Sequence, residues 1–235
     1  MSQHKASYLD AKGEKFRTGT VETKQPGEGE ILVKVGALAI NPVDWKIQDS
    51  GWIIKNWPAI LGEDVAGEIE AVGNGVTRFK TGQRVLAHSP YLMTQRLEQG
   101  GFQEKIVVPA HAASEIPDGM PFKDATVLPL AISTAAAGLY QSKKDICLEL
   151  PLPTTKPRKT NKTLLVWGGS SSVGTAAIQL AIASGMTVIT TCSPRNFELV
   201  QKLGAKAFDY NSPSIVGDLV AELGKGECVG AYDGD

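Results

Sequence analysis

The sequence predicts an α/β protein in two unlike parts: a β-rich first region folded as a barrel or sandwich, then one half, and slightly more, of a doubly wound parallel sheet. Three observations carry this expectation. Residues 1 to about 125 hold short β-forming runs separated by turn residues. From Thr163 onward, strand-like and helix-like segments alternate. A glycine- and serine-rich turn, Gly168 to Gly174, joins the first of these strands to its helix.

The runs of the first region are Ile31–Val35, Val65–Val72, Gln83–Ala87 and Gln103–Val108, punctuated by Gly27–Glu30, Gly73–Gly75 and Lys80–Gly82. The mostly apolar segment Asp124–Tyr140 follows and is expected to be helical in part. Pro129 stands near a helix start, where its fixed φ and missing N–H do no harm. Leu150–Lys162, with three prolines and four basic residues, reads as an exposed connector; contact with an acidic partner is the competing reading. The expected boundaries are therefore 1–125 for the first domain, 126–162 for a connecting helix and Pro-rich loop, and 163–235 for the second domain.

In that second domain Leu164–Trp167 is a short buried strand, and Ser172–Ser184 a helix with Val173, Ala177, Leu180 and Ala181 on one face, ended by Gly185. Thr187–Thr191 is the second strand, and Arg195–Leu203 the second helix, closed by Gly204. Lys206–Asp209 is the third strand, Ser214–Leu223 the third helix and Cys228–Tyr232 the fourth strand. The uncharged stretch Leu164–Pro194 is long enough to mimic a membrane span. Gly, Ser, Thr and Gln interrupt it and its period changes midway, so a buried strand–helix–strand unit accounts for it better.

Composition excludes several classes. With 42% hydrophobic and 21% charged residues, the 235-residue chain is neither disordered nor collagen-like. Its 24 basic and 25 acidic residues leave a net charge of -1, with no signature of nucleic-acid or membrane-surface binding. Cys147, Cys192 and Cys228 lie far apart, form no C-x-x-C pair and support neither a disulfide framework nor a zinc knuckle. Met1–Asp10 is polar and lacks the apolar stretch of a secretory signal. A soluble, cytoplasmic protein is expected.

The turn reads G-x-S-x-x-G from Gly169, with Ser171 in place of the middle glycine of a dinucleotide fingerprint. Ser170, Ser171, Ser172, Val173 and Gly174 open a helix whose N-terminal amides and partial positive charge suit a pyrophosphate. A turn that merely caps a helix is the competing reading, and the strand–turn–helix context favours the phosphate. An NAD site places an acid at the end of the second strand; here Cys192–Asn196 has none before Glu198. Ser193, Arg195 and Asn196 suit a 2′-phosphate instead, so NADPH is the expected cofactor. Against this, Arg195 also reads as a solvated first-turn residue.

Asn41–Lys46, Ile60–Gly67, Gly101–Glu104 and Thr134–Ala135, followed by Val166–Gly174, resemble the medium-chain dehydrogenase/reductase superfamily in order and spacing. Trp167–Gly174, Cys192–Glu198 and Phe208–Pro213 resemble more specifically its zinc-independent fungal branch of enoyl reductases and quinone oxidoreductase-like proteins, which includes trans-acting enoyl reductases of polyketide pathways. The resemblance implies a GroES-like β-barrel domain plus an incomplete Rossmann domain that binds NADP. It places cofactor contacts on Val43, Asp44, Trp45, Lys46, Thr134, the turn residues Ser170 to Gly174, Ser193, Pro194, Arg195, Asn196 and Tyr210. It puts Thr134, Ala135 and Ala136 beside the substrate, and makes Lys46 and Thr134 the catalytic candidates. Blander roles compete: Trp45 as core, Asp44 and Lys46 as an exposed pair, Tyr210 as a strand-end aromatic. Zinc-dependent relatives carry Cys where Asn41 stands and His where Glu63 stands, and four clustered cysteines are missing from Tyr91–Lys105. With His4, His88 and His111 scattered, no metal is expected.

The function implied is NADPH-dependent, zinc-independent reduction of an activated carbon–carbon double bond, in a small-molecule or carrier-bound enoyl substrate or an enone. A polyketide synthase is the candidate partner, and the chain a monomer or homodimer. Quinone reduction on free small molecules is one alternative. Because the chain stops after the fourth strand, it reads as C-terminally truncated, which leaves nucleotide binding without turnover as the other.

Overall fold

The computed structural model describes residues 2–142 and 147–234. Residues 143–146 of the expected connector, and both terminal residues, lie outside the described residues. The chain divides into two compact units, Met1–Leu130 and Ala131–Asp235.

In the first unit β1 (Gln3–Tyr8) and β2 (Arg17–Glu22) form an antiparallel pair. The strands β3 (Glu30–Ala39), β4 (Asp64–Val72), β5 (Arg84–His88), β6 (Lys105–Pro109) and β7 (Ala113–Glu115) make a five-stranded antiparallel sheet in the order β6-β3-β4-β5-β7. Ile31, Val33, Val65, Ile69, Val85, Ala87, Ile106 and Val108 bury its inner face. All four expected runs are strands. The first is longer than expected, because register shifts between Leu32 and Val33 and between Val35 and Ala37 let β3 bend and continue to Ala39. The strands β1, β2 and β7 go beyond the sequence expectation: the first two are rich in polar residues and the third is only three residues long.

Helix α1 (Pro42–Ser50) carries the Asn41–Lys46 motif. Pro42 opens it, Gly51 closes it at φ +69°, and only Asp44 and Ile47 are buried. So narrow a buried face leaves no helical period in the sequence. The single-turn helices α2 (Tyr91–Thr94) and α3 (Phe122–Ala125) complete this unit. Helix α4 (Pro129–Tyr140) begins at the expected proline; its first two residues belong to the first unit and the rest to the second.

The second unit is a four-stranded parallel sheet of β8 (Lys162–Trp167), β9 (Thr187–Cys192), β10 (Lys206–Asp209) and β11 (Glu227–Asp233), in the order β10-β9-β8-β11. Helices α5 (Ser172–Ala183), α6 (Phe197–Lys202) and α7 (Ile215–Leu223) make the connections. This is the 3-2-1-4 order of a doubly wound sheet. Leu164, Val166, Val188, Ala177, Ile178, Ala181 and Val200 share one core with Ala131, Ala135 and Leu139 of α4. The expected helix from Arg195 starts instead as a 3-10 turn, Pro194–Asn196, and becomes α-helical at Phe197. Pro194 suits this first turn, where its missing N–H needs no acceptor.

Candidate functional site

In the second unit the turn after β8 and the segment after β9 border a cleft of about 230 Å³, lined by Trp167, Gly168, Ser170, Thr191, Cys192, Ser193, Arg195, Asn196 and Tyr210. Close packing explains the glycines of its floor. A Cβ on Gly169 would lie 1.9 Å from Thr190 Oγ1, and one on Gly174 would lie 2.3 Å from the Gly168 carbonyl oxygen. Ser171 Oγ accepts the Gly174 N–H at 2.9 Å and donates to the Gly234 carbonyl at 2.5 Å, so this hydroxyl caps α5 from within the unit. The Ser172 and Val173 amides occupy the first two helical positions, which have no intrahelical acceptor. Asn196 Nδ2 donates to Ser170 Oγ at 3.0 Å, and Ser193 Oγ and Tyr210 OH lie 3.0 Å apart. Pro194 and Arg195 are exposed, and Arg195 forms no ion pair among the described residues. Sequence reasoning singled out Ser170, Ser193, Arg195, Asn196 and Tyr210, and the structure brings them together. It did not single out Thr191, whose Oγ1 accepts the Gly168 N–H at 3.1 Å and holds the turn to β9. Only a threonine at a strand end hinted at that.

In the first unit α1 presents Trp45 and Lys46 outward, with Lys46 Nζ 5.9 Å from the Trp45 ring centroid. Trp45 is 54% exposed, so it is not the core residue of its blander reading. Val43 is half-buried beside Leu9, Ile47 and Leu61. Asp44 is buried and Lys46 is not, so the two do not form an exposed pair. Asp44 Oδ2 accepts the Asn41 backbone N–H at 2.7 Å, the return arm of a capping box. Burial pushes the Asp44 carboxyl up to about 6, helped by the nearby Glu63 and Asp64 and opposed by amide hydrogen bonds from Asn41 and Gly62.

Behind α1 lie two more buried acids. Burial raises Glu63, against the pull of His88, whose Nε2 is 3.3 Å from Glu63 Oε2; Glu63 Oε1 is buried without a hydrogen-bond partner. Burial also raises Asp64, opposed by the donors Asn41 Nδ2–H at 2.8 Å and the Leu130 N–H at 2.7 Å. This network escaped the sequence reading because its members come from α1, β4, β5 and the start of α4. No group of three or more His, Cys, Asp or Glu side chains suited to a metal ion occurs among the described residues. No helix among them is long and apolar enough to cross a membrane.

On α4, within the second unit, Thr134 is exposed and its carbonyl accepts the Tyr232 hydroxyl at 3.2 Å. Ala136 is half-buried, whereas the Ala135 methyl is fully buried in the core of that unit. Thr134 is the exposed member of the three.

Comparison with known proteins adds four findings. Residues 27–118 match the alcohol dehydrogenase GroES-like domain. The chain is 49% identical over 209 residues to dehydrogenase orf1 of Aspergillus niger, covering 87% of this chain and 60% of that protein. It is 34% identical over 230 residues to trans-enoyl reductase tazE of Aspergillus terreus, covering 95% of this chain and 74% of that protein. Among solved structures, an alcohol dehydrogenase superfamily protein from Novosphingobium aromaticivorans superposes with a TM-score of 0.77 at 29% identity, over 94% of this chain and 62% of that one. The chain thus spans about 60% of the length of the Aspergillus niger relative.

Proposed function

The chain belongs to the medium-chain dehydrogenase/reductase superfamily, in its enoyl reductase branch, and from that premise we propose that it binds NADPH and reduces an activated carbon–carbon double bond. The cleft at Gly168–Gly174 and Ser193–Asn196 is the observation that carries the proposal. It joins amides at a helix N-terminus to a hydroxyl and a guanidinium after the second strand of that unit and a phenol after the third, and its lining holds no acid.

The residues fit the cofactor. Ser172 and Val173 N–H groups and the Ser170 hydroxyl bind the pyrophosphate, while the Gly169 and Gly174 packing keeps the turn close enough for backbone contact. Ser193, Arg195 and Asn196 would bind the 2′-phosphate, Arg195 by charge and paired donors, with Tyr210 beside the adenosine end. When bound, NADPH supplies hydride to the β-carbon of an enoyl thioester or enone. Lys46, exposed on α1, is the side chain to which the family resemblance assigns the role of steadying the developing enolate oxygen or helping to deliver the proton. Thr134 orients the substrate carbonyl. The donor set favours chemistry without zinc, since Asn41 and Glu63 offer an amide and a carboxylate already engaged with His88. The relative named a trans-enoyl reductase supports an enoyl substrate; a carrier-bound form of it, delivered by a polyketide synthase in the cytoplasm, is part of the same proposal.

The test is a titration with NADPH and NADH followed by turnover on an enoyl thioester and on a simple quinone. Tighter NADPH binding and faster oxidation with the thioester are expected. Preference for the quinone moves the reading to quinone reduction, and binding without turnover on either removes the reductase. In Lys46→Ala turnover is expected to fall; unchanged turnover with normal NADPH binding ends the role given to that side chain.

A further inference from the structure

The strand residue Asp64 stands at the first position of β4, 2% exposed, and its two carboxylate oxygens take two different jobs. Oδ2 accepts from the Asn41 side-chain amide at 2.8 Å. Oδ1 accepts the Leu130 backbone N–H at 2.7 Å. Asn41 is the N-cap of α1, and Leu130 lies in the first turn of α4. The Leu130 amide is one of the N–H groups that a helix cannot satisfy internally, so Asp64 caps α4 across 66 residues of sequence. At α1 the Asn41 side chain reaches back to Asp64, and its backbone N–H is held by Asp44.

We propose that Asp64 is a positioning residue, whose carboxylate fixes the N-terminus of α1, the helix carrying the Trp45 and Lys46 that the family resemblance assigns to the cofactor, and ties it to the Leu130 turn. This rests on the cofactor reading above. The donor count dictates the residue type. Two N–H donors converge on one buried side chain, so a group with two acceptor oxygens and no obligatory donor fits without leaving either donor unpaired. A positive helix terminus on the Leu130 side favours the same choice. Neither contact involves the cofactor, so Asp64 acts through Asn41 and not on the reacting atoms.

Asp64→Ala removes both acceptors, and Asp64→Asn is its conservative partner. In the Asn variant one oxygen still accepts from Leu130, and the new amide donates to Asn41 once that side chain flips. Asn41→Ser breaks the α1 link alone and leaves the Leu130 link intact. NADPH affinity, read by cofactor fluorescence, should fall about tenfold or more in Asp64→Ala and in Asn41→Ser, and return to within about threefold of wild type in Asp64→Asn. Amide hydrogen exchange without cofactor supplies the independent readout: the Leu130 N–H should exchange faster in Asp64→Ala and at the wild-type rate in Asn41→Ser. Should Asp64→Ala fail to fold, Asn41→Ser alone decides the α1 link. Wild-type NADPH affinity in Asn41→Ser, or unchanged Leu130 exchange in a folded Asp64→Ala, overturns the proposal. Failure of the wild-type chain to bind NADPH would instead overturn the cofactor reading, and the exchange result would stand on its own.

Discussion

The cleft of the second unit and the buried acid cluster of the first are built in opposite ways. The cleft is more local: the Gly168–Gly174 turn and residues 191–196 one strand later make most of it, Tyr210 follows the next strand, and its polar atoms are hydroxyls, amides and an exposed guanidinium. The cluster is assembled from Asn41, Asp44, Glu63, Asp64, His88 and Leu130, and it keeps three carboxyl groups out of water. A local site depends on backbone shape and tolerates no added atoms. A long-range cluster depends on bringing donors to buried oxygens, as Asn41 and Leu130 do for Asp64, while Glu63 Oε1 is left without one.

The largest effect is expected where the backbone packs most tightly. Gly174→Ala puts a methyl 2.3 Å from the Gly168 carbonyl, so the turn itself must move. Overpacking against backbone should cost about 2–3 kcal/mol in urea unfolding, and NADPH binding should drop below detection as the amides are turned away. Normal binding in this variant would break the claim that the cleft works through backbone shape. Next comes Arg195→Ala. Losing one charge-assisted contact to the 2′-phosphate should weaken NADPH by about 10- to 100-fold and leave NADH nearly unchanged, read by parallel titrations. Equal losses for both cofactors would place the guanidinium elsewhere.

The two regions also differ in how legible they are. Strand–turn–helix order, the glycines and the missing acid after β9 all lie within about thirty residues, so pattern alone located Ser170, Ser193 and Arg195. The same reading passed over Thr191, because a threonine that anchors a turn looks like any other β-branched residue in a strand. It treated Asp44 as exposed in one alternative and His88 as scattered. Burial and pairing across β4 and β5 decide both, and no sequence window holds those segments together. Helix α1 went unseen for a related reason. Its few buried residues leave no stripe, and it is its caps, Asn41 and Gly51, that define its ends.

Asp44 sharpens the electrostatic half of the comparison. Burial pushes its carboxyl up to about 6 in the folded chain, against about 3.9 in an unfolded one. The folded state therefore holds the proton more tightly. That stabilisation is complete below the unfolded value and is lost as pH rises through about 6. Asp44→Asn keeps the acceptor for the Asn41 N–H and cannot ionise. Between pH 4 and pH 7.5 the balance between variant and wild type should move toward the variant by about 1 kcal/mol, after allowance for solvent screening. Urea unfolding at both pH values measures it, and a pH-independent difference would contradict burial as the cause.

The smallest effect tests whether glycine matters by place or by kind. Gly217 lies in α7, exposed, and a Cβ built there meets nothing within 4 Å. Gly174 is also helical, yet its Cβ would strike the preceding turn. Gly217→Ala should therefore stabilise the chain by about 0.5–1 kcal/mol, the helix-propensity difference with no steric charge against it, and leave NADPH affinity as it was. The opposite signs expected for the same substitution, two helices apart in one unit, isolate the close approach at the turn as the reason Gly174 cannot change. If Gly217→Ala also destabilised, the contrast between the two glycines would no longer support a turn shaped by backbone contact.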